Sequence, residues 1–148
     1  MTRLCGNGFV VVHTTLISGH DFTGGHILRV NSTGNEMWRR QIVGGPGHSG
    51  FNQAILTSDG GYAVVGFRSL QFGTPSMWFV RLDSNGDMLT ERTYDTMFRL
   101  SYGTSITEIP GGYLLVGYGI PTHTETTDTQ FSSVLVRIDQ NGNLQGVH

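Results

Sequence analysis

The chain repeats itself, and that repeat limits its possible folds more than any other feature. Asp59-Gly-Gly-Tyr62-Ala-Val-Val-Gly66-Phe67 is matched by Pro110-Gly-Gly-Tyr113-Leu-Leu-Val-Gly117-Tyr118, and more weakly by Asn7-Gly8-Phe9-Val10-Val11-Val12-His13. The aromatic residues Phe9, Tyr62 and Tyr113 are 53 and 51 positions apart. A second motif follows each copy: His26-Ile-Leu-Arg29-Val-Asn31, Trp78-Phe-Val-Arg81-Leu-Asp83 and Val134-Leu-Val-Arg137-Ile-Asp139. Each of these runs into a turn, and the turn glycines Gly34, Gly86 and Gly142 are 52 and 56 apart. Two motifs in register, three times over, mean one supersecondary unit used three times.

Each unit contains four strand-like runs, which in the middle copy span about 52–57, 62–68, 77–83 and 88–94. Gly-Gly and Asn-Gly pairs join the first two and the last two, as tight hairpins with positive φ require. Ala63-Val64-Val65 and Trp78-Phe79-Val80 are apolar at successive positions, so both faces of that sheet are apolar. An antiparallel sheet with one wet face alternates instead, which predicts a middle sheet covered on both sides. The fourth runs, Trp38-Arg39-Arg40-Gln41 and Leu89-Thr90-Glu91-Arg92, carry the charges of an outer edge. The expected fold is therefore all-β: three four-stranded antiparallel propeller blades, first strand innermost, in one domain over 1–148. The blades divide at about 1–47, 48–99 and 100–148.

These residues resemble bacterial and archaeal propeller repeats, the seven-bladed-propeller and DGGY types of secreted and cell-surface proteins. The resemblance rests on the run from Met77 to Leu89, on Gly103-Thr-Ser-Ile and on Gly111-Gly-Tyr-Leu-Leu-Val-Gly117. Thr33-Gly34-Asn35-Glu36-Met37-Trp38 is also similar to the Thr-Gly-x-x-x-Trp motif of quinoprotein-like blades, where the tryptophan packs between neighbours. Units two and three depart from it, with Leu89 and with Leu144 or Gln145 near that position. The resemblance implies a fold and leans to a secreted or surface location; it specifies no activity.

Three blades are too few for an ordinary closed ring. Each terminal blade leaves an apolar face on the order of 500 Å², withholding roughly 12 kcal/mol of burial at ~25 cal/mol per Å². The chain is either a piece of a longer protein or closes by association. The favoured reading is a homodimer forming a six-bladed ring, blade three of one copy meeting blade one of the other.

Composition removes several functions. Nine cations face eleven anions without a basic cluster beyond Arg39-Arg40, which argues against nucleic-acid binding. All nine cations are arginine, so P-loop, Schiff-base and lysine general-base chemistry are excluded. The single cysteine, Cys5, forms no internal disulfide and reads as a small apolar residue. No run reaches the ~20 apolar residues of a membrane span, and the N-terminus has no signal-peptide order.

Candidate chemistry is sparse. His13, His20 and His26 with Asp21 match no metal-site spacing, and Asp83-x-Asn85-x-Asp87 reads as a hairpin turn rather than a calcium loop. Arg29, Arg81 and Arg137 recur at one position and read as structural arginines pairing with Asp or Glu. Gly44-Gly-Pro-Gly-His-Ser-Gly50 reads as a linker, and the Asn31-Ser32-Thr33 sequon falls in a turn. Neither a catalytic residue nor a metal or cofactor is assigned.

The connections over about 14–25, 69–76 and 118–132, with 44–50 and 95–102 between blades, are the long ones and share one rim. Binding residues are expected there. Candidates are His20, Asp21, Phe22, His48, Arg68, Phe72, Phe98, Arg99, His123, Glu125 and Asp128. The mix suits a non-enzymatic module recognising a glycan or a protein surface. The alternatives are a glycoside hydrolase or lyase using rim carboxylates, drawn from Asp21, Asp95, Glu125 and Asp128, and a purely structural scaffold.

Overall fold

The computed structural model describes residues 2–4, 8–16, 23–43, 47–69, 73–95, 98–122 and 130–148. Among them the chain is all strand and turn, in three four-stranded antiparallel sheets. The first sheet holds β1 (Thr2–Leu4), β2 (Gly8–Leu16), β3 (Thr23–Val30) and β4 (Glu36–Val43). The second holds β5 (Ser49–Leu56), β6 (Tyr62–Ser69), β7 (Pro75–Leu82) and β8 (Met88–Tyr94). The third holds β9 (Phe98–Ile109), β10 (Gly112–Pro121), β11 (Ser132–Asp139) and β12 (Leu144–Val147). In each, the strands lie side by side in chain order.

The hairpin turns show why the motif recurs. Asp83 Oδ1 accepts from the backbone N–H of Asn85 at 2.8 Å and of Asp87 at 2.9 Å. Asn31 and Asp139 do the same two and four residues ahead. Gly34, Gly86 and Gly142 follow at φ of 85, 83 and 80°, which glycine adopts without strain. The Asp83 carboxylate is thus committed to closing its own turn, as its hairpin reading requires.

Side chains alternate between two cores. Tyr62, Val64, Trp78, Val80 and Leu82 of the middle sheet meet Val10, Ile27 and Ile42 of the first. Ala63, Val65, Met77 and Phe79 point the other way, onto Ile106, Tyr113, Leu115, Val134, Val136 and Ile138 of the third. The middle sheet is buried on both faces, as its unbroken apolar runs predict. Trp38 lies between the first two sheets, edge-on to Tyr62 with ring centroids 5.3 Å apart. First strands tie neighbouring sheets together: Asn52 Nδ2 donates to Gly103 O at 2.7 Å, and Gln53 Oε1 accepts from Ser105 Oγ and Ile106 N, both at 2.7 Å.

Strand ends differ from the sequence reading in one useful way. β10 runs on to Pro121 and β9 starts at Phe98, where linkers over 118–132 and 95–102 were expected. Register shifts at Val116/Gly117 and Ile120/Pro121 let the extra residues keep pairing. A β-bulge adds a residue to one strand without ending the ladder, so β9 and β10 stay paired up to this rim.

Candidate functional site

Antiparallel order puts the connections from second to third strand, and from one sheet to the next, at the end opposite the tight turns. At that end, where all three sheets contribute, lies a cavity of about 330 Å³ lined by Thr14, His48, Phe67, Ser69, Gly73, Pro75 and Tyr102. Its floor is fixed by backbone, since Ser69 N donates to His48 O at 2.7 Å. Gly50 sits so close to Thr14 that a Cβ there would lie 2.2 Å from its hydroxyl. The close approach keeps the first sheet's edge in the cavity wall.

Aromatic rings lead away from the cavity. Phe67 and Tyr102 are tilted at 58° with centroids 5.2 Å apart. Tyr102 stacks on Tyr118 at 5.1 Å, and Phe131 meets Tyr118 edge-on at 5.5 Å. Tyr118 is 42% and Phe131 56% exposed, so the row ends in solvent. Offset and edge contacts of this kind hold rings at fixed spacing while leaving faces open. Burial, and then the neighbouring Tyr118, push the Tyr102 phenol above its ordinary range, so it stays a neutral hydroxyl through physiological pH.

Four of the eleven residues expected to bind are among the described ones. His48 lines the cavity, and Arg99 is exposed on β9. Phe98 is half-buried against the core between the second and third sheets. Arg68 points to the other face of β6, where it pairs with Glu91 and lies over the Trp78 ring at 5.8 Å. Glu91 also accepts from Trp78 Nε1 at 3.0 Å, so this group ties β6, β7 and β8 of the middle sheet together. His20, Asp21, Phe22, Phe72, His123, Glu125 and Asp128 lie outside the described residues.

The sequence reading passed over Phe67, Tyr102 and Tyr118. In sequence Phe67 and Tyr118 stand at the ends of the repeat motif, and Tyr102 at the end of a linker. A signal was present for Phe67 and Tyr118, which directly follow the strand-two glycine, at the point where β6 and β10 reach the long-loop rim.

The three recurring arginines separate into different roles. Arg81 is buried, donating Nε to the Tyr113 hydroxyl at 2.6 Å, Nη1 to Leu82 O at 3.1 Å and Nη2 to Asp59. Arg29 donates to Val30 O. Arg137 is exposed, with no hydrogen-bond or ion-pair partner among the described residues.

No protein-family model matches this sequence, and no curated protein is similar to it. Among the described residues no helix is long and apolar enough to cross a membrane.

Proposed function

We propose that this chain is a three-blade propeller unit acting as a non-enzymatic binding module, its ring closed by a second copy. The ligand is a glycan, taken at the long-loop rim. The observation that carries this is the cavity with the rings of Phe67 and Tyr102 at its wall. Open aromatic faces bury the apolar faces of pyranose rings, while the hydroxyls of Thr14, Ser69 and Tyr102 and the His48 imidazole pair with sugar hydroxyls. The lining carries aromatic, hydroxyl and imidazole groups, a set that orients a neutral ligand.

A glycan array and a hydrolysis screen on one sample test it. Saturable glycan binding without turnover is expected, lost on Tyr102→Ala while the unfolding midpoint stays close to the parent's. Turnover that disappears with Asp21→Asn or Glu125→Gln overturns it in favour of the glycosidase or lyase reading. Binding to a protein surface with no glycan response overturns the ligand class.

A further inference from the structure

The repeat makes every position comparable across the three units. Aligned on Phe9, Tyr62 and Tyr113, and on His26, Trp78 and Val134, each sheet turns one set of side chains toward the sheet before it and another toward the sheet after it. Two faces are left over: the outer face of the first sheet, with Phe9, Val11, Leu28 and Val30, and that of the third, with Leu114, Val116, Leu135 and Tyr118. These positions are the counterparts of residues that pack together inside the chain.

The leftover faces depart from the repeat together. At the position facing the preceding sheet, units two and three have Gly66 and Gly117, and a bulky group fills the space opposite. Beside Gly66 the rings of its strand neighbours Phe51 and Trp78 stack at 4.5 Å, and the Phe51 ring reaches Gly25 of the first sheet, where a Cβ would come within 2.3 Å. For Gly117 it is Met77, whose Cε lies 2.8 Å from where a Cβ would be. The first unit has His13 at this position, and the third unit has Ser133 where the second has Met77. Relative to the Met77–Gly117 pair, large has become small on one face where small has become large on the other.

Polarity changes in step. His13 stacks on His26 with centroids 4.6 Å apart and planes 5° from parallel. Both ring nitrogens of His26 are shielded from solvent without a hydrogen-bond partner. His13 therefore covers His26 and is itself exposed, and by the repeat the Ser133 hydroxyl stands at the position that faces it. Arg137 is the counterpart of Arg81, which lies over Tyr113 at 6.0 Å, and the counterpart of Tyr113 on the first face is Phe9. A guanidinium left without an acid on its own sheet is thereby given a ring to lie on.

Resting on the ring reading above, we infer that the outer face of the third sheet docks on the outer face of the first sheet of a second copy, with Ser133 against the His13–His26 pair as the contact that specifies it. The same contact occurs twice, because a two-fold rotation about the ring axis generates both joints.

Size exchange in the full chain tests this by sedimentation velocity. The parent sediments as a dimer at micromolar concentration. Ser133→Met restores the bulky residue against His13 and raises the dimer dissociation constant at least about thirtyfold, overpacking being felt at both joints. Adding His13→Gly to Ser133→Met recreates the pairing of Met77 with Gly117 and brings the dimer back. Ser133 and His13 are both exposed, so each variant keeps the parent's circular dichroism and unfolding midpoint under monomeric conditions. A parent that is monomeric overturns the ring itself. A dimeric parent left unchanged by Ser133→Met overturns the joint and leaves the ring.

Discussion

The middle sheet and the two terminal sheets share one strand plan and one set of motifs, yet their side chains meet different surroundings. Tyr62, Val64, Trp78 and Val80 are at most 4% exposed on one face of the middle sheet, and Ala63, Val65, Met77 and Phe79 at most 1% on the other. On the third sheet's outer face the counterparts of Val65 and Phe67 are Val116 at 37% and Tyr118 at 42%. The same backbone thus serves as core in one unit and as surface in another. What differs is the neighbour, so the outer residues are informative where they depart from the repeat: Phe9, His13, His26, Ser133 and Arg137.

The largest expected effect compares core with face. Trp78→Ala opens a cavity in a fully buried site and costs about 3–5 kcal/mol in denaturant unfolding. Val116→Ala, half as deep, costs under ~1 kcal/mol in the monomer. Equal losses would mean that the terminal face is already covered within one chain.

The arginines sharpen the contrast. Arg81→Leu leaves the buried Tyr113 hydroxyl and Leu82 carbonyl without their donor and costs roughly 2–3 kcal/mol of stability. Arg137→Leu leaves monomer stability within about 0.5 kcal/mol. A large loss from Arg137→Leu under monomeric conditions would break the distinction.

Acid affects the two regions differently. Burial, then His13 and Arg39, hold the His26 imidazole below its ordinary value of 6.5. His13 from β2 and Arg39 with its partner Glu36 from β4 are the charged groups around it. A lowered imidazole pKa favours the neutral form, so the folded chain's stability is undiminished above the ordinary value and falls as pH drops below it. Thermal unfolding between pH 7 and 5 reads this, and His26→Phe removes the dependence.

The smallest effect concerns the hairpin at 57–61. The Thr57 hydroxyl, then the Gly61 N–H and Arg81, hold the Asp59 carboxyl below its ordinary range, partly offset by burial. Its contribution is present above the ordinary carboxylate range and lost as pH falls through the depressed value. Asp59 is 60% exposed, so solvent screening keeps the contribution well under about 1 kcal/mol. Asp59→Asn flattens the acid limb of thermal unfolding by that amount.

Much of the fold was legible because its signals are local. Positive-φ glycines, Asx residues at turns, and apolar residues at successive positions each have one geometric meaning, and three copies let them check one another. The end of β10 was less legible, because a bulge opposite Gly117 reads in sequence like a loop. The rim site was harder still. Arg68 looked free to bind and is held by Glu91 and Trp78, a pairing 23 residues away in sequence that only the register of β6, β7 and β8 creates. Tyr102 and Tyr118 stack because β9 and β10 pair past that bulge, and no spacing rule announces it.

Sedimentation equilibrium of the unmodified chain at micromolar concentration and neutral pH tests the central claim most directly. Docking of the two uncovered faces on each other, as proposed, predicts a single species of twice the 16.2 kDa chain mass. A homogeneous species at 16.2 kDa, with Val116 and Tyr118 still solvent-facing, would contradict it.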